Sequence, residues 1–139
     1  MIIRKCEDYF LIKIFKNSLI NFNIFDTDDI RELFKSILKK LNKMYDLHGL
    51  IDADVYVCEQ YGMIIELSPI NSYFDGIDIK INFHLCNYFL VSIDSSSILD
   101  YDDVYYYDGK FYGTYSMFSD SDIFYKNTDE IISNGIKVC

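Results

Sequence analysis

Asp78, Lys80 and His84 stand at even spacing in one run, so a strand there would point all three to the same face. Only two histidines, His48 and His84, are present. Acid/base chemistry near neutral pH would have to use one of them, or a carboxylate whose pKa is displaced. His84 is the better placed, because Lys80 and Asn82 share its face. His48 adjoins Gly49 and reads as a helix-end residue.

Asp78-Ile79-Lys80 has the form of the acid-x-Lys half-motif of metal-dependent nucleases, in which a carboxylate holds the metal and the lysine assists a water. Asp108-Gly109-Lys110 matches it equally, so the pattern is cheap. Cys86 lies two residues from His84 on the same face, roughly 6 to 7 Å away along a strand and beyond hydrogen-bond reach. Cys6, Cys58, Cys86 and Cys139 form no C-x-x-C pair, which excludes a zinc pattern and demands no disulfide framework. Asp100, Asp102 and Asp103 cluster without EF-hand spacing. Phosphate-binding glycine loops, G-x-S-x-G and H-E-x-x-H are all missing. The sequence therefore implies no cofactor and no metal. A small hydrolase or nuclease-like enzyme built around Asp78, Lys80 and His84 is the alternative to a binding role.

The richer signal is Asp100 to Tyr115, which is acidic and dense in tyrosine. Asp108-Gly109 suits the two central positions of a type I′ turn, which need positive φ. Tyr107 then faces Lys110, Tyr106 faces Phe111, and Tyr105 faces Tyr112. Tyr106 and Phe111 share one side of the ribbon, and Tyr105, Tyr107, Lys110 and Tyr112 share the other. Tyrosine buries a large area at low rotamer cost and keeps a polar tip, which suits recognition. The expected partner-binding residues are Asp102, Asp103, Tyr105, Tyr107, Asp108 and Tyr112.

Charge narrows the partner. The 139 residues carry a net charge of −9. Residues 1–49 hold nine basic and seven acidic side chains, a net of +2, whereas residues 50–139 hold four and fifteen, a net of −11. An acidic second part opposes direct nucleic-acid binding and favours a basic protein partner. Arg31, Lys35, Lys39, Lys40 and Lys43 form a basic stripe in the first part. Neither a signal peptide nor a membrane span is expected, because the apolar run from Tyr9 is broken by Lys13, and the cytoplasm is the expected compartment. One Ala and two Arg against abundant Ile, Asn, Lys and Tyr suggest AT-rich coding, as in low-GC bacteria or phage.

These groups need elements to position them. Ile2 to Cys6 and Phe10 to Phe15 read as paired strands. Asp26 or Thr27 caps a long helix whose apolar positions, Ile30, Leu33, Phe34, Ile37, Leu38, Leu41, Met44 and Tyr45, recur at helical spacing, with Gly49 as its stop. Asp54 to Glu59 and Met63 to Leu67 form a hairpin that Pro69 ends. Ile77 to Cys86 alternates strictly, and Phe89 to Ile93 extends the sheet. Ser95 to Ser97 and Asp120 to Asn127 read as loops, Thr128 caps a short helix closed by Gly135, and Ile136 to Cys139 makes a last strand. The whole, residues 1–139, reads as a single α+β domain: an antiparallel sheet covered on one face by one long amphipathic helix, with a short C-terminal helix.

Gly49-Leu50 through Gly62-Met-Ile-Ile-Glu-Leu67 resembles the N-terminal region of MecA-type Clp-protease adaptors. Tyr105-Tyr-Tyr-Asp-Gly-Lys-Phe-Tyr112 is similar to a hairpin in their C-terminal domain. The chain is too short to hold both domains, so the resemblance implies at most an adaptor role. The expectation is thus a small acidic protein-binding module, an inhibitor, immunity-type protein or adaptor, that engages a basic partner through its hairpin. Self-association, as a homodimer through the half-exposed strand or the basic helix, is the third reading.

Overall fold

The long helix forms where the sequence supplies both a cap and an apolar stripe. In the computed structural model, which describes residues 1–71, 76–114 and 123–138, α1 spans Thr27–Leu41. The Asp26 carboxylate accepts hydrogen bonds from the N–H groups of Asp28 and Asp29 at 2.9 and 3.4 Å. Asp28 and Asp29 occupy the first turn, and Lys39 and Lys40 the last, as the helix dipole favours. The helix ends at Asn42, well before Gly49. Two successive N–H groups, of Met44 and Tyr45, converge on the Leu41 carbonyl, and the Asn42 side chain accepts from the Leu47 N–H at 3.2 Å. That local bonding competes with another helical turn.

Five strands make the first sheet: β1 Ile2–Lys5, β2 Phe10–Phe15, β3 Gly49–Cys58, β4 Gly62–Asn71 and β5 Ile77–Cys86, in the order β1-β2-β4-β3-β5. Alternation puts Phe10, Ile12, Ile14, Ile51, Ala53, Val55, Met63, Ile65 and Leu67 on one face, where Phe34, Ile37 and Leu41 of α1 join them. Neighbouring strands are antiparallel except β5, which runs parallel to β3. The expectation of a purely antiparallel sheet fails here for a topological reason. Both sides of β4 are taken by β2 and β3, and the free side of β3 takes β5 with Gly49 beside Ile77, so the two strands run the same way. Pro69 does not end β4 either. It pairs with Ile51 beside a register shift between Leu50 and Ile51, an irregularity that accommodates a residue without an N–H.

A second antiparallel sheet holds β6 Leu90–Ile93, β7 Val104–Tyr107, β8 Lys110–Thr114, β9 Ile123–Phe124 and β10 Ile136–Lys137, in the order β10-β7-β8-β6-β9. Among the described residues, the single sheet expected under the long helix is therefore two sheets, and the expected short C-terminal helix packs on the second. Period-2 alternation shows which residues share a face but not which sheet a strand joins. The short helix α2, Thr128–Asn134, packs Ile131 against Leu90, Tyr105 and Tyr112. Its cap position is Asn127 in the left-handed region rather than Thr128. Ser95–Asp100 is a 3₁₀ turn, and β9 falls inside the stretch read as a loop, of which residues 120–122 lie outside the described residues, as do Tyr115 and Cys139 at the ends of the two segments read around them. Phe89, fully buried, packs with Leu11, Cys58, Tyr61 and Ile64 on the second face of the first sheet. Among the described residues no helix is long and apolar enough to cross a membrane.

Candidate functional site

The tyrosine hairpin forms with the register that its turn residues dictate. Asp108 and Gly109 have φ of +48° and +80°, and the pairs are Tyr107 with Lys110, Tyr106 with Phe111 and Tyr105 with Tyr112. Which side of the ribbon faces outward differs from the expectation. Tyr105 and Tyr112 are only 9% and 7% exposed, packed with Leu90 and Ile131 beneath α2. They are core residues, not a displayed platform. Tyr107 is half-buried on the same side, and its hydroxyl donates to Glu130 at 3.3 Å. The Glu130 charge raises the pKa of that phenol.

The opposite side presents an apolar row that the register builds across four strands. Ile136 pairs with Tyr106, Tyr106 with Phe111, and Phe111 with Ile93. Ile136 is 65% and Tyr106 39% exposed, and the Tyr106 and Phe111 rings lie 5.2 Å apart in a tilted pair. One row further along, Val104, Gly113 and Val91 are buried. Tyr101 closes that row, since a Cβ on Gly113 would come within 2.7 Å of its ring. Asp94 follows Ile93 at the end of the row, Asp108 lies in the turn between β7 and β8, Asp102 stands at the entry to β7, and all three are exposed. Asp103 is committed within the protein, bonded to Lys137 at 3.0 Å, and this contact raises the pKa of that lysine. Among the described residues, Asp102 and Asp108 thus stand as unpaired acidic groups beside the ribbon, while Asp103 fastens β10.

A polar surface occupies part of the other face of the first sheet, beside the cluster around Phe89. Lys80 lies beside Asp52, Asn82 beside Asp54, and His84 beside Tyr56. Asp78, Lys80 and His84 do share one face, as their spacing implied. They do not converge, because Asp78 and His84 are six residues apart on one extended strand, roughly 20 Å. His84 instead meets Asp54, Nε2 to Oδ1 3.0 Å, and stacks on the Tyr56 ring at 4.6 Å. Tyr125 packs edge-on to Tyr56, donates its hydroxyl to Glu66 at 2.5 Å, and is followed by Lys126, whose ammonium reaches the same carboxylate at 3.0 Å. A cleft of about 560 Å³ opens between Tyr56, His84, Cys86, Tyr125 and Asp129.

Several groups on this surface hold their protons more tightly than usual. Burial first, then the Asp129 and Cys58 charges, push the Cys86 pKa up to about 11. Cys86 is therefore a thiol at neutral pH, bonded through Sγ to the carbonyls of Tyr125 and His84. Burial, reinforced by Glu66 and Asp54, pushes Tyr56 up to about 12, and burial with the Glu66 bond raises Tyr125 further. Among the described residues no three His, Cys, Asp or Glu side chains are grouped to hold a metal ion. The basic stripe on α1 is exposed, with Arg31 paired to Asp28 at 3.1 Å and Lys35 to Glu32 at 3.5 Å. His48 approaches Asp46 at 3.8 Å beyond the end of α1.

Those raised values fix the sign of an alkaline transition. The folded protein holds its protons on Cys86 and Tyr56 after the unfolded chain has released them, so the unfolded state binds fewer protons and stability falls as pH rises. The loss begins near the unfolded thiol value of 9 and continues to about 12. Thermal melts should show Tm falling over that window. Cys86→Ser should remove the part between about 9 and 11, and Tyr56→Phe the part above 10. A Tm that is flat from pH 9 to 12 would contradict both assignments.

Sequence reasoning identified the Tyr106 and Phe111 pair but not its extension by Ile93 and Ile136, since those partners come from strands distant in the chain. Glu66, Tyr125 and Lys126 carried no local signal at all. No protein-family model, curated protein or solved structure matches this chain. The geometry defines a two-sheet protein of mixed helix and strand with one partly exposed aromatic and aliphatic row and one carboxylate-rich face.

Proposed function

We propose that this is a small acidic protein-binding module, of the inhibitor, immunity or adaptor kind, that engages a basic protein through its tyrosine-rich hairpin. The supporting observation is the cross-strand row Ile136, Tyr106, Phe111 and Ile93, lying beside the exposed carboxylates of Asp102 and Asp108 on a chain of net charge −9. An apolar centre with an acidic rim matches a basic partner that carries its own apolar anchor. In this reading Asp102 and Asp108 steer the encounter, and Tyr106 and Phe111 hold the complex. Tyr105 and Tyr112 act through the fold, by keeping the ribbon on α2.

Affinity capture from source-cell lysate at low and high salt, with Tyr106→Ala/Phe111→Ala as the control bait, supplies the partner. Binding kinetics then separate the roles. Asp102→Asn/Asp108→Asn should lower the on-rate several-fold at low salt and leave the off-rate nearly unchanged. Tyr106→Ala/Phe111→Ala should speed dissociation by about 30-fold or more, the scale of a hot spot worth about 2 kcal/mol or above. A folded aromatic variant that captures the same protein with wild-type kinetics would reject the hairpin as the contact. The hydrolase alternative has less support, because Asp78, Lys80 and His84 lie strung along one strand rather than around one point.

A further inference from the structure

The first sheet ends on two unlike edges. β1 is four residues long and carries Arg4 and Lys5, features that discourage further pairing. β5 carries Asp78 and Lys80 but is more than twice as long. It runs for ten residues in unbroken register with β3, without proline, and no strand lies on its outer side among the described residues. Successive residues of a strand turn their N–H and C=O groups to opposite sides, so about half of those on β5 point away from the sheet. On the face shared with α1, Ile77, Phe83 and Leu85 are exposed, Leu85 to 62%.

We propose that β5 pairs antiparallel with β5 of a second copy, about a two-fold axis at Ile81. The pattern of the strand is self-complementary in that register. Asp78 lies opposite His84 of the second copy, and Lys80 opposite Asn82. On the other face Ile77 meets Leu85, and Ile79 meets Phe83. Each contact occurs twice, as a two-fold interface requires. Centring on Asn82 would set Lys80 against His84, and centring on Lys80 would set the two lysines against each other. Centring on Ile79 would set Asp78 against Lys80 but pair only residues 77–81, whereas centring on Ile81 pairs residues 77–85, so strand length and charge together select Ile81. The pairing buries the exposed aliphatic groups, satisfies the outward backbone groups, and leaves the two short basic β1 strands as the outer edges of one continuous sheet, five strands from each copy. It uses neither the hairpin nor the basic stripe, and so stands independently of the proposed partner.

Sedimentation equilibrium of the full chain across the micromolar range tests it. The expected result is a dimer whose Kd rises by about tenfold or more in Asp78→Lys and in Leu85→Lys, both at exposed positions, with unchanged melting of the monomer. Mild oxidation of the Ile81→Cys variant should give a disulfide-linked peptide joining position 81 of the two copies, read by mass spectrometry. A chain monomeric throughout that range would overturn the proposal, as would a dimer indifferent to both substitutions. A dimer that is sensitive to them but yields no cross-link between the two substituted positions would overturn the register.

Discussion

Gly62→Ala is expected to lower the unfolding free energy by about 4 kcal/mol, through backbone strain and overpacking together. Gly62 opens β4 at φ +126°, a conformation that residues with a Cβ rarely adopt. It is also where β4 is squeezed between β2 and β3, opposite Phe15 and Cys58. A Cβ placed there meets the Ile14 carbonyl oxygen at 2.2 Å and the Lys16 nitrogen at 2.8 Å. Both are backbone atoms, and the Lys16 N–H is held by the Tyr61 carbonyl at 2.8 Å, so neither can swing aside as a side chain would. Urea denaturation measures the change directly. A loss under about 1 kcal/mol would mean that β2 and β4 do not approach as closely as described. Gly109→Ala is the comparison, since φ there is also positive but nothing lies within 4 Å of the added methyl. It should cost only the strain share.

Phe89→Ala carries the second large effect, about 3 to 5 kcal/mol. Phe89 is fully buried, 5.2 Å from the Tyr61 ring and 6.4 Å from that of Tyr125, over Leu11 and Ile64. It immediately precedes β6, so its ring ties the second sheet to the first. Truncation empties that joint, and the Tyr125 bond to Glu66 loses the wall beside it. Hydrogen exchange should show protection lost first at β6 and around Tyr125, ahead of β3 and β4, which α1 covers on the opposite face. Uniform loss across both sheets would show that Phe89 is ordinary core rather than a joint. Under the proposed binding role this variant should also weaken partner capture, because the hairpin row spans β10, β7, β8 and β6.

Much of the local structure was legible because its causes are local. Asp26 caps the helix with its own carboxylate, the period of Ile30 to Leu41 selects the face that packs, and Asp108-Gly109 sets the hairpin register through φ alone. The aromatic pair Tyr106 and Phe111 follows from that register without further information. The choice of which ribbon side is core did not follow, since it rests on Ile131 of α2, well beyond the hairpin in the chain. The same holds for Asp54, which meets His84 only because β5 pairs with β3, and for Glu66, which binds Tyr125 across 59 positions.

By itself, then, the sequence determined the capped helix, most of the strand segments, the type I′ turn and the acidic bias of the second part, all of which act over a few residues or over none. Tertiary structure alone decided that there are two sheets, that β5 runs parallel to β3, that Tyr105 and Tyr112 are buried against α2 while Tyr106 and Phe111 form a partly exposed pair on the other side, and that Asp78, Lys80 and His84 do not converge. The physical reason is that alternation and turn chemistry specify which side chains share a face, whereas the strand that lies alongside is chosen by burial and backbone pairing between segments far apart in the chain.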